Sequence, residues 1–336
     1  MTGSDTKLKR TTFRSDQDEL KLRAAYLYYV EGRTQEQVAQ HLGISRIKAL
    51  RLLAATRQDG TVQITINSPA GSLIRLQREL EEHLGLSEAI VVPTSDQNEE
   101  SVAMVVGHTT GRYISEHVDD GLSIGVGWGA TLQVCMRSLA WREVHGMTAI
   151  SLLGGLTHAT AHNPSAVAWR FAEFYQTELY QITAPVFVPD RELAEALWRQ
   201  EDLKKLYQRA REVDIALLSV GDVSKQASIF RREVLSWSDA QSLKEAGAVG
   251  DVLCHFVDAD GNVIDHPVNH RAMAINPADL RNVRKVVISS GGLRKVHAIR
   301  AGIIATNARF LITDVAAAEA LLHLDPIVRP PRKDAE

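Results

Sequence analysis

Short apolar segments alternate with helical patterns through most of this 336-residue chain. Eight of them have the length and continuous apolar character of buried strands: 89–92, 122–126, 149–153, 186–188, 215–220, 252–257, 286–289 and 310–313. Buried strands separated by helices are typical of a parallel sheet that is covered on both faces. The sequence therefore predicts an α/β fold with a doubly wound, largely parallel sheet.

The first 60 residues follow a different, helical pattern. Apolar residues recur at helical spacing from residue 16 until Gly32, and a second short helix is predicted at 34–42, where Thr34 and Gln37 form a capping box. Gly43 then provides a tight turn, and Ser45 is a good N-cap for a third helix that reaches about residue 58. Two helices joined by a glycine turn indicate a helix-turn-helix, with a three-helix protein-interaction domain as the alternative.

The third helix has a polar, basic face. Placing Ala49, Leu52 and Leu53 inward exposes the opposite side, which would meet DNA: Ser45, Arg46, Ile47, Lys48, Leu50 and Arg51. Arginine binds guanine through two hydrogen bonds in the major groove, while lysine and serine meet phosphates. Leu50 is unusual on such a face, so it either contacts a thymine methyl group or packs partly against the next domain.

Charge divides unevenly along the chain. Residues 1–60 hold 11 basic and 7 acidic residues, a net charge of +4, and the other 276 residues carry −7. A basic head on an acidic body suggests that only the head meets a polyanion such as operator DNA.

Cellular location follows from the cysteines and from hydropathy. Cys135 and Cys254 form no disulfide framework, which favours a reducing cytoplasm. Residues 1–14 lack the apolar core of a signal peptide, and no segment approaches the roughly 20 apolar residues of a membrane helix. We therefore expect a cytoplasmic protein without membrane contact.

These patterns divide the chain into five parts. We predict a flexible arm at 1–15, a helix-turn-helix domain at 16–66 that ends in a short strand at 61–66, and a linker with a connecting helix at 67–88. An effector-binding domain at 89–325 and a tail at 326–336 complete the prediction.

Four predicted strands end in glycine turns. These turns lie at 125–129, 153–155, 220–222 and 290–292, and Lys295 follows the last one. In open α/β sheets, ligands bind beyond the carboxyl ends of the strands, where glycine lets the backbone approach them. The turns predict a pocket for a polyhydroxylated or phosphorylated small molecule, although each alone is also consistent with a simple tight turn. Trp128 would either stack on a sugar or pack over the sheet.

Taken together, the motifs resemble those of SorC-type sugar-binding transcriptional regulators. The resemblance is carried by Ser45-Arg46 and Arg51-Leu52-Leu53, the turn at 125–129 with Thr131-Leu132, Gly250-Asp251 before the turn at 258–262, Gly291-Gly292 with Lys295 and Ala298-Ile299, and Leu311-Ile312-Thr313-Asp314. These motifs occur in matching order from about residue 18 to 325.

The resemblance implies a DNA-binding head joined to an effector domain similar to sugar-phosphate isomerases. Such proteins are usually homotetramers that regulate sugar or polyol operons through a bound sugar, sugar phosphate or polyol. It places these residues near the effector: Gly127, Trp128, Gly129, Thr131, Gly154, Gly155, Asp251 and Lys295. The turn at 220–222 adds Gly221. Relatives often carry Arg or a hydroxyl residue at the position of Ala130, so this chain lacks one possible phosphate donor. They usually carry Val-Ser at the position of Ala49-Leu50, so the operator sequence of this chain is not predictable.

Other chemistry has weaker support. His158 and His162 have a spacing that suits one helical face, but no third metal ligand is nearby, and we predict neither metal nor cofactor. Cys254 and His255 would point to opposite faces of a strand. The alternative function is a sugar-phosphate isomerase or deaminase with an appended DNA-binding head, motivated by Asp251 and Lys295. No carboxylate–histidine set for acid–base catalysis can be assembled, so we expect no enzyme.

Overall fold

The computed structural model describes residues 16–62, 69–157 and 163–329. The chain divides into two compact units between Ser68 and Pro69. Among the described residues, no helix is both long and apolar enough to span a bilayer.

The first unit is helical. Its segments are α1 (Asp16–Ala25), a π-helical turn (Tyr26–Val30) that continues α1, α2 (Gln35–Leu42) and α3 (Arg46–Gln58). Small and aliphatic side chains from all of them form one core: Ala24, Leu27, Val38, Ala39, Ala49, Leu52 and Leu53. The predicted inward face of the third helix is therefore confirmed.

Local hydrogen bonds explain where these helices begin and end. Thr34 Oγ1 accepts from the Gln37 backbone N–H, and Gln37 Oε1 accepts from the Thr34 N–H, which is the predicted capping box. Gly43 ends α2 with a φ of +61°, a conformation that glycine adopts without a steric cost. Ser45 then caps α3 by accepting from the Lys48 N–H.

The described residues of the second unit contain ten strands. They are β1 (Glu88–Val92), β2 (Ser123–Val126), β3 (Thr148–Ser151), β4 (Glu178–Tyr180), β5 (Ile215–Leu218), β6 (Val220–Gly221), β7 (Gly250–Val252), β8 (His255–Val257), β9 (Lys285–Ser289) and β10 (Phe310–Asp314). Seven form a parallel sheet in the order β1-β10-β9-β5-β2-β3-β4, and β6-β7-β8 form a small antiparallel sheet. The predicted α/β class is confirmed.

Helices cover both faces of the parallel sheet. The α-helices in the described part of this unit are α4 (Pro69–Leu84), α5 (Glu99–His117), α6 (Ala130–Arg137), α7 (Pro164–Tyr175), α8 (Arg191–Trp198), α9 (Glu201–Arg211), α10 (Ser228–Arg231), α11 (Trp237–Glu245), α12 (Pro267–His270), α13 (Val296–Thr306) and α14 (Val315–Leu321). Along β5, Ile215 and Leu217 belong to one core cluster, whereas Ala216 and Leu218 belong to another. This alternation shows that both faces of β5 are buried.

The order of the strands creates a crevice between β2 and β5. From β2 the chain runs outward through β3 to β4, and from β5 it runs the opposite way through β9 to β10. Neighbouring strands whose connections leave in opposite directions open a crevice at their carboxyl ends, where ligands bind in such sheets.

Three strand predictions need correction or lie outside the described residues. Residues 186–188 form no strand but single bridges, such as Phe187 with Ala272, because the flanking Pro185 and Pro189 lack N–H donors. The predicted strand 252–257 is broken at Leu253 and Cys254, whose φ values of +52° and +62° form a tight turn between β7 and β8. The predicted strand 61–66 falls mostly outside the described residues.

The helix predicted as a connection belongs to the core of the second unit. Leu80 and Leu84 of α4 are fully buried there. In addition, Gln77 Oε1 accepts from the Val91 N–H and Glu81 Oε1 accepts from the Ala89 N–H. Thus α4 is held to β1 by polar as well as apolar contacts.

Candidate functional site

A pocket lies at the crevice between β2 and β5. Its walls come from the turns that follow these two strands, from β7, from α10, and from the side chains of Glu99 and Lys295. The pocket has a volume of about 440 Å³ when its open mouth is included, but only about 40 Å³ of it is accessible to the centre of a water molecule. The pocket is therefore narrow, and a ligand larger than a few waters would have to widen it.

Gly221 and Asp251 lie side by side in the wall of the pocket. They are paired residues of β6 and β7. A Cβ atom at Gly221 would lie 2.2 Å from Asp251 Oδ1, so only glycine fits beside this carboxylate. Asp251 Oδ2 accepts from the Cys254 N–H at 3.1 Å, which stabilises the turn at Leu253 and Cys254.

Burial raises the pKa of Asp251 to about 6. The Cys254 N–H and the positive charge of Lys295 act in the opposite direction, while the charge of Asp222 adds to the increase. A carboxylate that is only 5% exposed loses most of its hydration, and this disfavours its charged form. Asp251 therefore changes charge close to physiological pH.

Asp222 is a second buried carboxylate in the pocket, only 4% exposed. Its Oδ1 accepts from the Ser224 N–H at 2.7 Å. Its Oδ2 has no hydrogen-bond partner within residues 16–62, 69–157 and 163–329. An unsatisfied buried acceptor is costly, which makes Asp222 ready to accept from a ligand hydroxyl.

The basic residues at the pocket are paired with one acid. Glu99, the first residue of α5, places Oε1 3.6 Å from Lys295 Nζ and Oε2 2.9 Å from Arg294 Nη2. A second cavity, lined by Gly291, Gly292 and Arg294, shares both Glu99 and Lys295 with the first. Glu99 thus lies between the two cavities.

In the first unit, the predicted DNA-binding surface is exposed. All six residues named for it are accessible, including Ile47 at 68% and Leu50 at 47%. Arg46 lies 3.8 Å from Glu36, whereas Lys48 and Arg51 form no ion pair with any described residue. Within this unit, then, Leu50 is a surface residue, and the first two turns of α3 present three cations to solvent.

Comparisons with known proteins place the chain in a family. The Sugar-bind model, which describes a sugar-binding domain, matches residues 68–323. The erythritol catabolism regulatory protein EryD of Brucella abortus (strain 2308) is 32% identical over 91% of this chain and 96% of its own length. The deoxyribonucleoside regulator of Bacillus subtilis (strain 168) is 31% identical over 92% of this chain and 98% of its own. The chain belongs to the SorC family of sugar-binding transcriptional regulators.

A solved SorC structure has the same fold. The full-length sorbitol operon regulator SorC from Klebsiella pneumoniae superposes with a TM-score of 0.71 at 24% identity, over 92% of this chain and 100% of that chain. The SorC-like resemblance predicted from the sequence is therefore confirmed for the family and for the fold.

The pocket brings together five of the nine predicted effector-binding residues of this SorC-family chain. They are Trp128, Gly129, Gly221, Asp251 and Lys295. Trp128 is also only 9% exposed and belongs to the hydrophobic core, so most of its surface is covered by other residues of the chain. Gly129 has a φ of +131°, and no side chain caps the following helix α6.

The other four predicted residues lie elsewhere. The Gly127 N–H is bonded to Leu217 O, and Thr131 is buried in the first turn of α6. The N–H groups of Gly154 and Gly155 donate to Met273 O and Ala184 O, and Gly155 lines a separate groove beyond β3. Their predicted contact with an effector stays a prediction, and the pocket does not include them.

Glu99 is a charged pocket residue that sequence reasoning missed. It follows β1 without a glycine turn, and acidic residues are common in the first turn of a helix. Its proximity to Lys295 depends on two segments almost 200 residues apart in the chain. The only signal was that the loop after β1 ends at the same edge of the sheet as the glycine turns.

No metal site is found in the part of the chain that the structure describes. No three His, Cys, Asp or Glu side chains come close enough there to hold an ion. His158 and His162 lie outside the described residues. Cys254 lies in the β7–β8 turn rather than in a strand. The prediction that Cys254 and His255 point to opposite faces of one strand was therefore wrong.

Proposed function

We propose that this protein regulates transcription of a sugar or polyol catabolic operon, binding operator DNA through α3 and an effector in the pocket at the carboxyl ends of β2 and β5. The exposure of the basic α3 surface carries the DNA-binding part, since Lys48 and Arg51 have no acidic partner among the described residues. The relatives EryD and the deoxyribonucleoside regulator are named as regulators, which supports this proposal over an isomerase or deaminase.

On DNA, the side chains of α3 would divide the work. Arg46 and Arg51 would donate to guanine edges in the major groove, while Ser45 and Lys48 would contact phosphates. Ile47 and Leu50, both exposed, would meet thymine methyl groups. In a homotetramer, pairs of heads would contact half-sites about one helical turn, or a multiple, apart.

In the pocket, the effector would be a sugar, a sugar phosphate or a polyol. Asp222 and Asp251 would accept hydroxyl hydrogen bonds, and Lys295 would donate to an oxygen of the ligand. The ligand would alter operator affinity by binding more tightly to one of two arrangements of the assembly. We assign the pocket a binding role without turnover, and we place the protein in the cytoplasm, where operator DNA is accessible.

Two measurements test this proposal. Fluorescence anisotropy with DNA from upstream of the protein's own gene and of neighbouring catabolic genes should give specific binding that weakens steeply as salt is raised. A thermal-shift screen over sugars, polyols and their phosphates should find a compound that raises the melting temperature. Binding that is indifferent to sequence and salt, or turnover of a sugar phosphate by the purified protein, would contradict the proposal.

A further inference from the structure

The basic side chains that would meet an anionic ligand group already have an acidic partner. Glu99 holds Arg294 at 2.9 Å and Lys295 at 3.6 Å. The Gly292 N–H, in the glycine turn after β9, donates to Asp314 Oδ1 at 2.6 Å. Both cations and this backbone amide, which line the second cavity, thus have carboxylate partners from the chain itself.

The acceptors of the pocket, by contrast, are only partly engaged. Asp222 Oδ2 is buried and has no partner among the described residues. Asp251 receives one hydrogen bond from the Cys254 N–H. Carboxylates cannot donate when ionised, so both require donors from a ligand, and hydroxyl groups supply them. Among the charged side chains of the pocket, the two aspartates can still accept hydrogen bonds, whereas Lys295 is already paired with Glu99.

We infer that Glu99 sets the ligand specificity of this pocket. Its carboxylate occupies the place that a ligand phosphate or carboxylate would take beside Lys295 and Arg294, and the pocket selects an uncharged polyhydroxylated compound. This inference rests on the proposed effector role of the pocket and names the effector class within it. It also gives Glu99 a role that no motif in the sequence indicated.

The charges around the pocket disfavour an anionic ligand. An anionic ligand would have to displace Glu99 from its two basic partners, and it would then lie near the carboxylates of Asp222 and Asp251. Like charges in a partly dehydrated site repel, and the displaced Glu99 would lose its charge-assisted hydrogen bond with Arg294 and its ion pair with Lys295. A neutral polyol avoids both penalties, because it donates to the carboxylates and leaves the ion pairs intact.

Inorganic phosphate is the direct probe for this role of Glu99. We would measure its affinity by isothermal titration calorimetry for the full-length wild-type protein, for Glu99→Gln, and for Glu100→Gln as the matched control. Glu100 is the next residue of α5, is exposed, and also lies in the first turn. The expected result is about tenfold tighter phosphate binding for Glu99→Gln alone, since Lys295 and Arg294 are released.

A second variant identifies the cation. Glu99→Gln combined with Lys295→Gln should lose the gained phosphate affinity. Thermal shift on the same proteins measures whether the pocket prefers a neutral compound or its phosphate. The compounds are compared in two pairs, D-ribose with D-ribose 5-phosphate and D-sorbitol with D-sorbitol 6-phosphate. Any compound that stabilises the wild type should be the neutral member of its pair, with Glu99→Gln moving the preference towards the phosphate.

Two results would overturn the inference. One is equal phosphate affinity in the wild type, Glu99→Gln and Glu100→Gln, with all three folded by circular dichroism. The other is a wild-type protein that is stabilised more by a sugar phosphate than by the parent sugar. Operator binding is measured in the same preparations. If operator DNA is still bound specifically, either result overturns only the role of Glu99, because neither concerns the affinity of α3 for DNA.

Discussion

The two units of this protein use basic side chains in opposite ways. On α3, Lys48 and Arg51 are exposed and form no ion pair with a described residue, and Arg46 has only a long contact with Glu36. At the pocket of the second unit, Lys295 and Arg294 share the carboxylate of Glu99. The first arrangement leaves positive charge available for a polyanion, and the second pairs it with an acidic side chain of the same chain.

This difference shows that residue type alone does not define a binding surface. An exposed cation with no local partner gains energy by releasing counterions from DNA. A cation that already has a carboxylate partner must break that contact before it can bind another anion, so the two units are suited to different ligands.

The largest effect is expected from removing the two arginines of the predicted DNA-binding surface. The double variant Arg46→Ala/Arg51→Ala should lower operator affinity by about 100-fold, because each arginine contributes about 1–3 kcal/mol when it contacts a guanine. Anisotropy titrations with operator DNA measure this. Arg57→Ala is the matched control, since Arg57 is exposed in the last turn of the same helix. Equal losses in both variants would show that charge in general, rather than the α3 surface, binds DNA.

The next effect concerns the buried carboxylate of the pocket. The pKa of Asp251 in the folded protein is about 6, above its ordinary value of 3.8, so the native state binds more protons than the unfolded state between these values. Its contribution to stability therefore falls as pH rises from about 4 to 6 and stays low above pH 6. Asp251→Asn should raise the free energy of unfolding by about 2–3 kcal/mol at pH 8, and the gain should vanish towards pH 4.

Urea unfolding across that pH range measures the difference. Asp260→Asn, at an exposed aspartate in the turn after β8, serves as the control and should change stability little at any pH. If Asp251→Asn were equally stabilising at pH 4 and pH 8, the charge of Asp251 would not be the source of the effect.

A smaller loss is expected when the close approach at the pocket wall is disturbed. Gly221→Ala would place a methyl group 2.2 Å from Asp251 Oδ1, and relief of that overlap should cost about 2 kcal/mol and weaken effector binding. Gly155→Ala is the comparison, because its nearest neighbour is the side-chain hydroxyl of Ser165 at 3.2 Å. Equal effects on effector binding would place Gly155 at the effector site after all.

The smallest effect is expected at the start of α3. Ser45 Oγ accepts from the Lys48 N–H, and Ser45→Ala should lower the stability of the head by about 1 kcal/mol. Thermal unfolding measures that loss. Operator affinity should fall slightly through the missing serine contact, and a change as large as that of the arginine variant would show that α3 unfolds.

Local patterns made most of the fold predictable. The strands β1, β2, β3, β5, β9 and β10 are short apolar runs, and the helix caps at Thr34 and Ser45 are set by neighbouring residues. The turn at Leu253 and Cys254 was not predictable, because it contains none of the residues that usually adopt positive φ. Its support is the side chain of Asp251, which a periodicity argument does not consider.

The candidate site was predictable only in part, for a related reason. Glycine turns at strand ends marked Gly129 and Gly221, because the carboxyl ends of parallel strands meet at one edge. The same rule brought in Gly154 and Gly155, although their strand lies beyond β2, away from the crevice. The pairing of Glu99 with Lys295 depends on the order of strands in the sheet, which the sequence pattern does not determine.

The central claim is that one ligand in the pocket changes the affinity of α3 for DNA. Operator titrations with and without a saturating amount of the compound found by thermal shift test it most directly. The expected result is a change in operator affinity of at least about fivefold, together with unchanged binding of the compound by Arg46→Ala/Arg51→Ala. Identical operator affinity with and without the saturating compound would contradict the account.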